Sequence, residues 1–173
     1  MNSVVTVALQ EKVLYNYYFG YDQYRFIWFR SFDPPVTFTM YREGDDVWLR
    51  TKMLVRYPQL GNEMYTYFDS VSNNFVFTDS VLRSTEFRGN IVLDETKMLS
   101  LCDWQTFEQL LQETGYWSMK PSVDRYGFDG SRWIVEAHLK DRYWLVDRWS
   151  PENNFSRIGS YMASRSGLKF KFY

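Results

Sequence analysis

The 173-residue sequence is poor in residues that cross-link, bind metals or span membranes. Its one cysteine, Cys102, excludes an internal disulfide framework and a cysteine-based zinc knuckle. With His138 as the one histidine there is no histidine-rich metal site, so neither a metal nor a cofactor is expected. Twenty Lys and Arg against 21 Asp and Glu leave a formal charge of -1, without a basic field to hold a phosphate backbone. Nucleic acid is therefore not an expected partner. No run approaches the roughly 18 apolar residues of a membrane helix. Met1-Asn2-Ser3 carries no basic n-region, and Gln10, Glu11 and Lys12 interrupt the apolar start before a signal core develops. The expectation is a soluble chain, cytoplasmic or exported with its signal removed. The P-loop, the dinucleotide fingerprint, G-x-S-x-G and H-E-x-x-H are all absent from the sequence.

Aromatic residues are abundant. Seven Trp, 14 Tyr and 14 Phe make up 20% of the chain, and such side chains enrich both cores and contact surfaces. A chain of this length buries roughly 70% of the surface its unfolded form exposes, so one core suffices. No repeat or Pro/Gly/Ser-rich linker divides the chain, and residues 1–173 are expected to form a single domain.

Leu9, Val13 and Tyr17 recur every four residues after Asn2 or Ser3 and before Gly20, predicting an N-terminal helix. Tyr24 to Arg30 reads as a strand that ends before Asp33-Pro34-Pro35. Val36 to Arg42, the turn Glu43-Gly44-Asp45-Asp46 and Val47 to Arg56 form a hairpin. Met64 to Asp69, Phe75 to Thr78 and Ile91 to Leu93 add shorter strands. Ser100 with Asp103 makes a capping box, and Trp104, Phe107, Leu110 and Leu111 form an apolar stripe ending at Gly115. Residues 116–128 read as a loop. At the C-terminal end, Ser150 and Pro151 open a helix whose inward positions are Phe155, Ile158 and Met162, with Gly167 as its stop. The fold class is α+β: an antiparallel sheet built from hairpins, with helices packed on one face.

Asp129 to Pro151 is the densest stretch. With Lys140 and Asp141 as a two-residue turn, Trp133 faces Arg148, Val135 faces Val146 and Ala137 faces Trp144 on a core side. Ile134 with Asp147, Glu136 with Leu145 and His138 with Tyr143 share the other side. Glu136, His138 and Asp147 thus become candidates for acid-base chemistry, which needs such closeness together with a cleft. The plainer reading is the wet face of an antiparallel sheet. Cys102 reads as a buried, inert thiol rather than a nucleophile paired with His138. Gly127 to Gly130 reads as a turn, as does the acidic group Glu43, Asp45 and Asp46. Among the aromatics, Tyr143, Trp149 and Trp28 are the candidate binding residues, and rings in the runs 15–19, 24–32 and 65–68 are expected partly at the surface.

Two blocks carry a resemblance. Tyr24-Arg25-Phe26-Ile27-Trp28 with Phe32-Asp33-Pro34-Pro35-Val36, and Asp129-Gly130 through Trp133, Glu136, Tyr143 and Arg148-Trp149-Ser150-Pro151, resemble a family of small uncharacterised bacterial proteins. In that family a tryptophan-bearing helix precedes the second block, as Trp104 does here. A histidine commonly follows the second-strand tyrosine, where this chain has Trp144. The resemblance implies one coextensive domain of bacterial type and brings no activity, substrate or cofactor. The expected function is a non-enzymatic binding or interaction domain for a protein or a glycan. A small hydrolase using Glu136 with His138 or Asp147 is the alternative.

Overall fold

The computed structural model describes residues 4–15, 17–58, 67–69, 74–76, 91–123, 129–152 and 154–170. Along the chain run α1 (Val4–Ala8), β1 (Asp22–Arg30), β2 (Val36–Glu43), β3 (Asp46–Leu54), β4 (Tyr67–Asp69), β5 (Asn74–Val76) and β6 (Ile91–Leu99). Then follow α2 (Leu101–Glu113), a short 3-10 turn (Tyr116–Ser118), β7 (Ser131–His138), β8 (Tyr143–Trp149) and α3 (Asn154–Ser166). Six strands form one antiparallel sheet in the order β6-β3-β2-β1-β7-β8, and β4 pairs with β5 separately. The fold is α+β, as the strand and helix patterns predict.

Side-chain alternation divides the large sheet into two faces. On the first, Tyr24, Phe26 and Trp28 stand beside Ala137, Val135 and Trp133, and beside Met40, Phe38 and Val36. This face is sealed by the α2 stripe of Trp104, Phe107, Leu110 and Leu111 and by Phe155, Ile158 and Met162 of α3, all in one core. Burying a side chain such as Phe107 or Ile158 contributes about 1.5–3 kcal/mol, so these stripes account for the helices' attachment. Gly159 lets α3 approach closely: a Cβ there would stand 2.5 Å from the Trp133 ring and 2.7 Å from Phe26. Tyr116 is buried with them, donating from its hydroxyl to the carbonyls of Val135 at 3.0 Å and Trp144 at 3.1 Å.

The capping box of α2 is formed as read: Ser100 Oγ accepts from the Asp103 amide at 3.1 Å, and Asp103 accepts from the Ser100 amide at 3.0 Å. Hairpin β7–β8 has the expected register, with Trp133 opposite Arg148 and His138 opposite Tyr143. Leu139 and Arg142 exchange backbone bonds around the Lys140-Asp141 turn.

Four readings need correction. The N-terminal helix stops at Ala8, and Gln10 takes a φ of 54°, because the next carbonyls and the Glu11 side chain are claimed by cations on the sheet. Ser150 does not cap α3, which begins at Asn154. Its hydroxyl instead accepts from the Ser131 amide at 3.1 Å, and its own φ is 38°. Cys102 is exposed rather than buried, since the first-turn position it occupies on α2 lies off the apolar stripe. β6 extends through Leu99 instead of stopping at Leu93, because pairing with β3 overrides its charged, weakly strand-forming sequence. Of the strands read at 64–69 and 75–78, the described parts are Tyr67–Asp69 and Asn74–Val76. Gly127 and Phe128 lie outside the described residues.

Candidate functional site

The second face of the sheet carries the predicted site residues, and it is covered. Alternation puts Arg25, Glu136, Ile27, Ile134, Thr37 and Lys52 there, with Arg25 directly opposite Glu136 and Thr37 opposite Lys52. The segment 9–15 crosses this face as an irregular strap. Its helical root α1 packs Val5, Ala8 and Leu9 onto Leu54, Phe29 and Ile91. Beyond that root the attachment is polar. Lys52 Nζ donates to the carbonyls of Leu9 at 2.9 Å and Gln10 at 3.2 Å, and lies 3.0 Å from Glu11 Oε1. Thr37 donates to Glu11 at 3.2 Å. Arg25 Nη1 donates to the Lys12 carbonyl at 2.7 Å and to Glu11 at 3.2 Å.

Glu136 completes this network. Arg25 Nε donates to its Oε2 at 2.7 Å, Arg25 Nη2 contacts the same oxygen, and Tyr143 Oη donates to Oε1 at 2.8 Å. Two buried cations thus meet two buried carboxylates, the balance that removal from water demands. Burial and the adjacent Glu136 carboxylate hold the Tyr143 phenol well above its ordinary pKa. Nearby, Arg132 grips Asp147 through Nε at 2.9 Å and Nη2 at 2.5 Å, a bidentate pair across β7 and β8.

His138 is hydrogen-bonded to neither carboxylate. Its ring lies 5.7 Å from Tyr18, 5.6 Å from Phe19 and 6.2 Å from Tyr143, and its buried Nδ1 has no hydrogen-bond partner among the described residues. Burial pushes its pKa down, an effect that Asp22 and Glu136 oppose and Arg25 reinforces. Between the strap and the sheet is a cavity of about 80 Å³. Val13, Ile27, Phe29, Ile134 and Leu145 supply apolar wall, and Glu136 and Asp147 also line it.

One row on this face crosses every strand of the sheet. Tyr143, His138, Gln23, Tyr41, Trp48 and Met98 are register neighbours from β8 to β6. Tyr15 at the end of the strap and the residues that follow it add rings to the row. Phe19 lies 4.9 Å from Tyr17 and 6.3 Å from Tyr21, Tyr21 lies 5.7 Å from Tyr41, and Tyr15 lies 6.3 Å from Tyr143. Lys12 Nζ stands 4.9 Å above Phe19. Tyr15 is 63% exposed, Tyr17 65% and Met98 57%, so the row is open at both ends of the sheet.

The expected grouping of Glu136, His138 and Asp147 on one face holds, but the face is not wet. Glu136 and His138 are buried, because the strap covers Glu136, and Tyr18 and Phe19 after it pack on His138, on strands that alternation alone would leave to solvent. A cavity does lie beside Glu136, the cleft that acid-base chemistry would need. Trp28 is fully buried under the helices and presents no surface to a ligand. Tyr143 is half-buried within the row. Trp149 is also half-buried and lines a separate groove with Arg148, Pro151 and Phe155. Cys102 belongs to a helix on the opposite side of the sheet from His138. The sequence reading missed Arg25, Lys52 and Glu11. Arg25 had a signal, a cation inside the aromatic run 24–30, whereas Glu11 had none. Comparison with protein-family models, with curated proteins and with solved structures finds no match to this chain.

Proposed function

We propose that the chain is a non-enzymatic binding domain that takes a protein or glycan ligand along the aromatic row of its strap-covered face. The observation that carries this reading is the alignment of Tyr143, Tyr41, Trp48 and Met98 in one register line, extended by the exposed Tyr15 and Tyr17. Strands lie about 4.8 Å apart, so a line of rings across them offers repeated flat contacts. Tyrosine and tryptophan rings combine apolar area with a polar tip, which suits the face of a sugar ring or a protein anchor.

The charge pattern favours binding over turnover. General acid-base catalysis needs a group free to exchange a proton with substrate. Glu136 is engaged by Arg25 and Tyr143, and Asp147 by Arg132. The hydrolase alternative retains one supporting observation, the cavity that Glu136 and Asp147 both line.

The test is calorimetric titration with a panel of soluble oligosaccharides and array screening against purified bacterial proteins, using the whole chain. A hit should weaken by about two- to tenfold for each of Tyr17→Ala and Tyr41→Ala, the range expected of a stacked ring. Hydrolysis of a panel member, abolished by Glu136→Gln in a variant that stays folded at the assay temperature, would replace the binding reading with the hydrolase.

A further inference from the structure

The two edges of the large sheet are treated differently. β8 is shielded: the Asp147 amide donates to the Pro121 carbonyl at 2.7 Å, Ser122 forms a parallel bridge with Asp147, and Arg148 donates to the Lys120 carbonyl at 2.7 Å. β6 has no neighbour on its outer side among the described residues, and Val92, Asp94, Glu95, Thr96, Lys97 and Met98 are all exposed. An edge of this length, with a backbone row open to another chain, is a template for strand addition.

We propose that β6 pairs with β6 of a second copy, antiparallel about a two-fold axis at Thr96, making one sheet continuous across both copies. An isologous two-fold contact must oppose residues of the same sheet face, so the axis falls on a residue and not between two. A centre at Leu93 or Met98 forms no opposite-charge pair, and the centres between them are Asp94, Glu95, Thr96 and Lys97. Centred on Asp94, Glu95 or Lys97, the pairing sets that residue against its own copy and places like charges in direct opposition, which is destabilising. Centred on Thr96, it sets Thr96 against Thr96, Glu95 against Lys97 twice, and Leu93 against Leu99 twice. That register alone among the four has two opposite-charge pairs and no like-charge pair.

The side chains needed are accessible. Glu95 is exposed and makes no hydrogen bond or ion pair among the described residues. Lys97 makes one exposed contact, at 3.3 Å to the Arg165 carbonyl. Asp94 would face Met98 in this register, and its charge is already met by Arg50 at 2.7 Å through both Nε and Nη2. Charges on an edge strand ordinarily discourage pairing. Here the order is complementary to itself, since reversing the strand about Thr96 sets Glu95 against Lys97.

Sedimentation of the whole chain should show a dimer. Glu95→Lys and Lys97→Glu each turn both charge pairs repulsive, and each should weaken association about tenfold or more. The combined Glu95→Lys/Lys97→Glu chain should dimerise again. Both positions are exposed, and unchanged far-ultraviolet circular dichroism will confirm that the variants fold. In a Cys102→Ser background, Thr96→Cys should cross-link under mild copper–phenanthroline oxidation, and Met98→Cys should not. A monomer at the highest soluble concentration, a dimer indifferent to the charge reversals, or cross-linking through Met98→Cys instead would each overturn the proposal.

Discussion

One face of the sheet is sealed by two helices and the other is covered over Arg25, Thr37, Lys52 and Glu136 by an irregular strap, and the chemistry beneath each follows from what covers it. A helix satisfies most of its own backbone, so α2 and α3 can press wholly apolar stripes onto Phe26, Trp28 and Val135. The strap has no internal ladder. Its carbonyls at Leu9, Gln10 and Lys12 must find donors, and the sheet supplies them from Lys52 and Arg25. Those cations in turn require the buried carboxylates Glu11 and Glu136. The ion network beneath the strap is thus the consequence of covering a sheet with irregular chain, and proximity of titratable groups on that face does not of itself signal catalysis.

The largest effects should come from removing one central group from each face. Phe107→Ala leaves a cavity under α2 and should cost about 3–5 kcal/mol in chemical denaturation. Arg25→Ala should cost a similar 3–5 kcal/mol for the opposite reason, by leaving Glu136 and Glu11 buried with a charge too few. The two faces then separate in a cycle. Arg25→Met with Glu136→Leu removes both partners together, and the double variant should be more stable than the sum of its single variants predicts, by about 1–3 kcal/mol. Additive losses would mean that the strap is held by something other than this network.

A smaller effect tests the lack of slack on the helix face. Gly159→Ala improves helix propensity by about 1 kcal/mol on an open surface. Here the added methyl meets Trp133 and Phe26, rings already packed on Trp28 and Phe38 at centroid separations of 5.4 and 5.7 Å. Overpacking of this kind costs about 1–3 kcal/mol, so the net change should be destabilising in a urea melt. A stabilised variant would show that α3 rides on the sheet more loosely than its neighbours indicate.

The helix face was largely legible in the sequence, and the strap face was not. The stripes on α2 and α3, the capping box and the β7–β8 register each depend on periodicity or on residues close in the chain. The strap depends on Glu11 meeting Arg25 and Lys52, contacts whose partners lie far along the chain and leave no periodic mark. Leu9, Val13 and Tyr17 carry a helical spacing that these contacts override. Placing Glu136, His138 and Asp147 on one face was correct, because strand alternation fixes it. Their burial was missed, because alternation says which way a side chain points and not what lies above it. Ser150 misled for a local reason: Ser-Pro has the form of a helix start, yet the hydroxyl is used by β7 and the helix begins later.

The smallest expected effect concerns His138, the one group on the strap face that titrates near neutrality. It packs between Tyr18 and Phe19, which follow the strap, and Tyr143 of β8. The charged groups acting on it are Asp22 and Arg25 from β1 and Glu136 from its own strand. Burial dominates and depresses its pKa below the ordinary 6.5. Above that value the imidazole is neutral in both folded and unfolded chains, and its burial carries no proton-linked cost. As pH falls below 6.5 the unfolded chain takes up the proton first, so stability declines until the folded-state pKa is passed and then levels off. His138→Gln removes this term while other carboxylates still titrate, so the informative quantity is the wild-type minus variant difference in melting temperature across that window. The difference should fall toward acid. A difference that rises toward acid would mean that Asp22 and Glu136 outweigh burial, and that the imidazolium helps to hold the strap side of the sheet together.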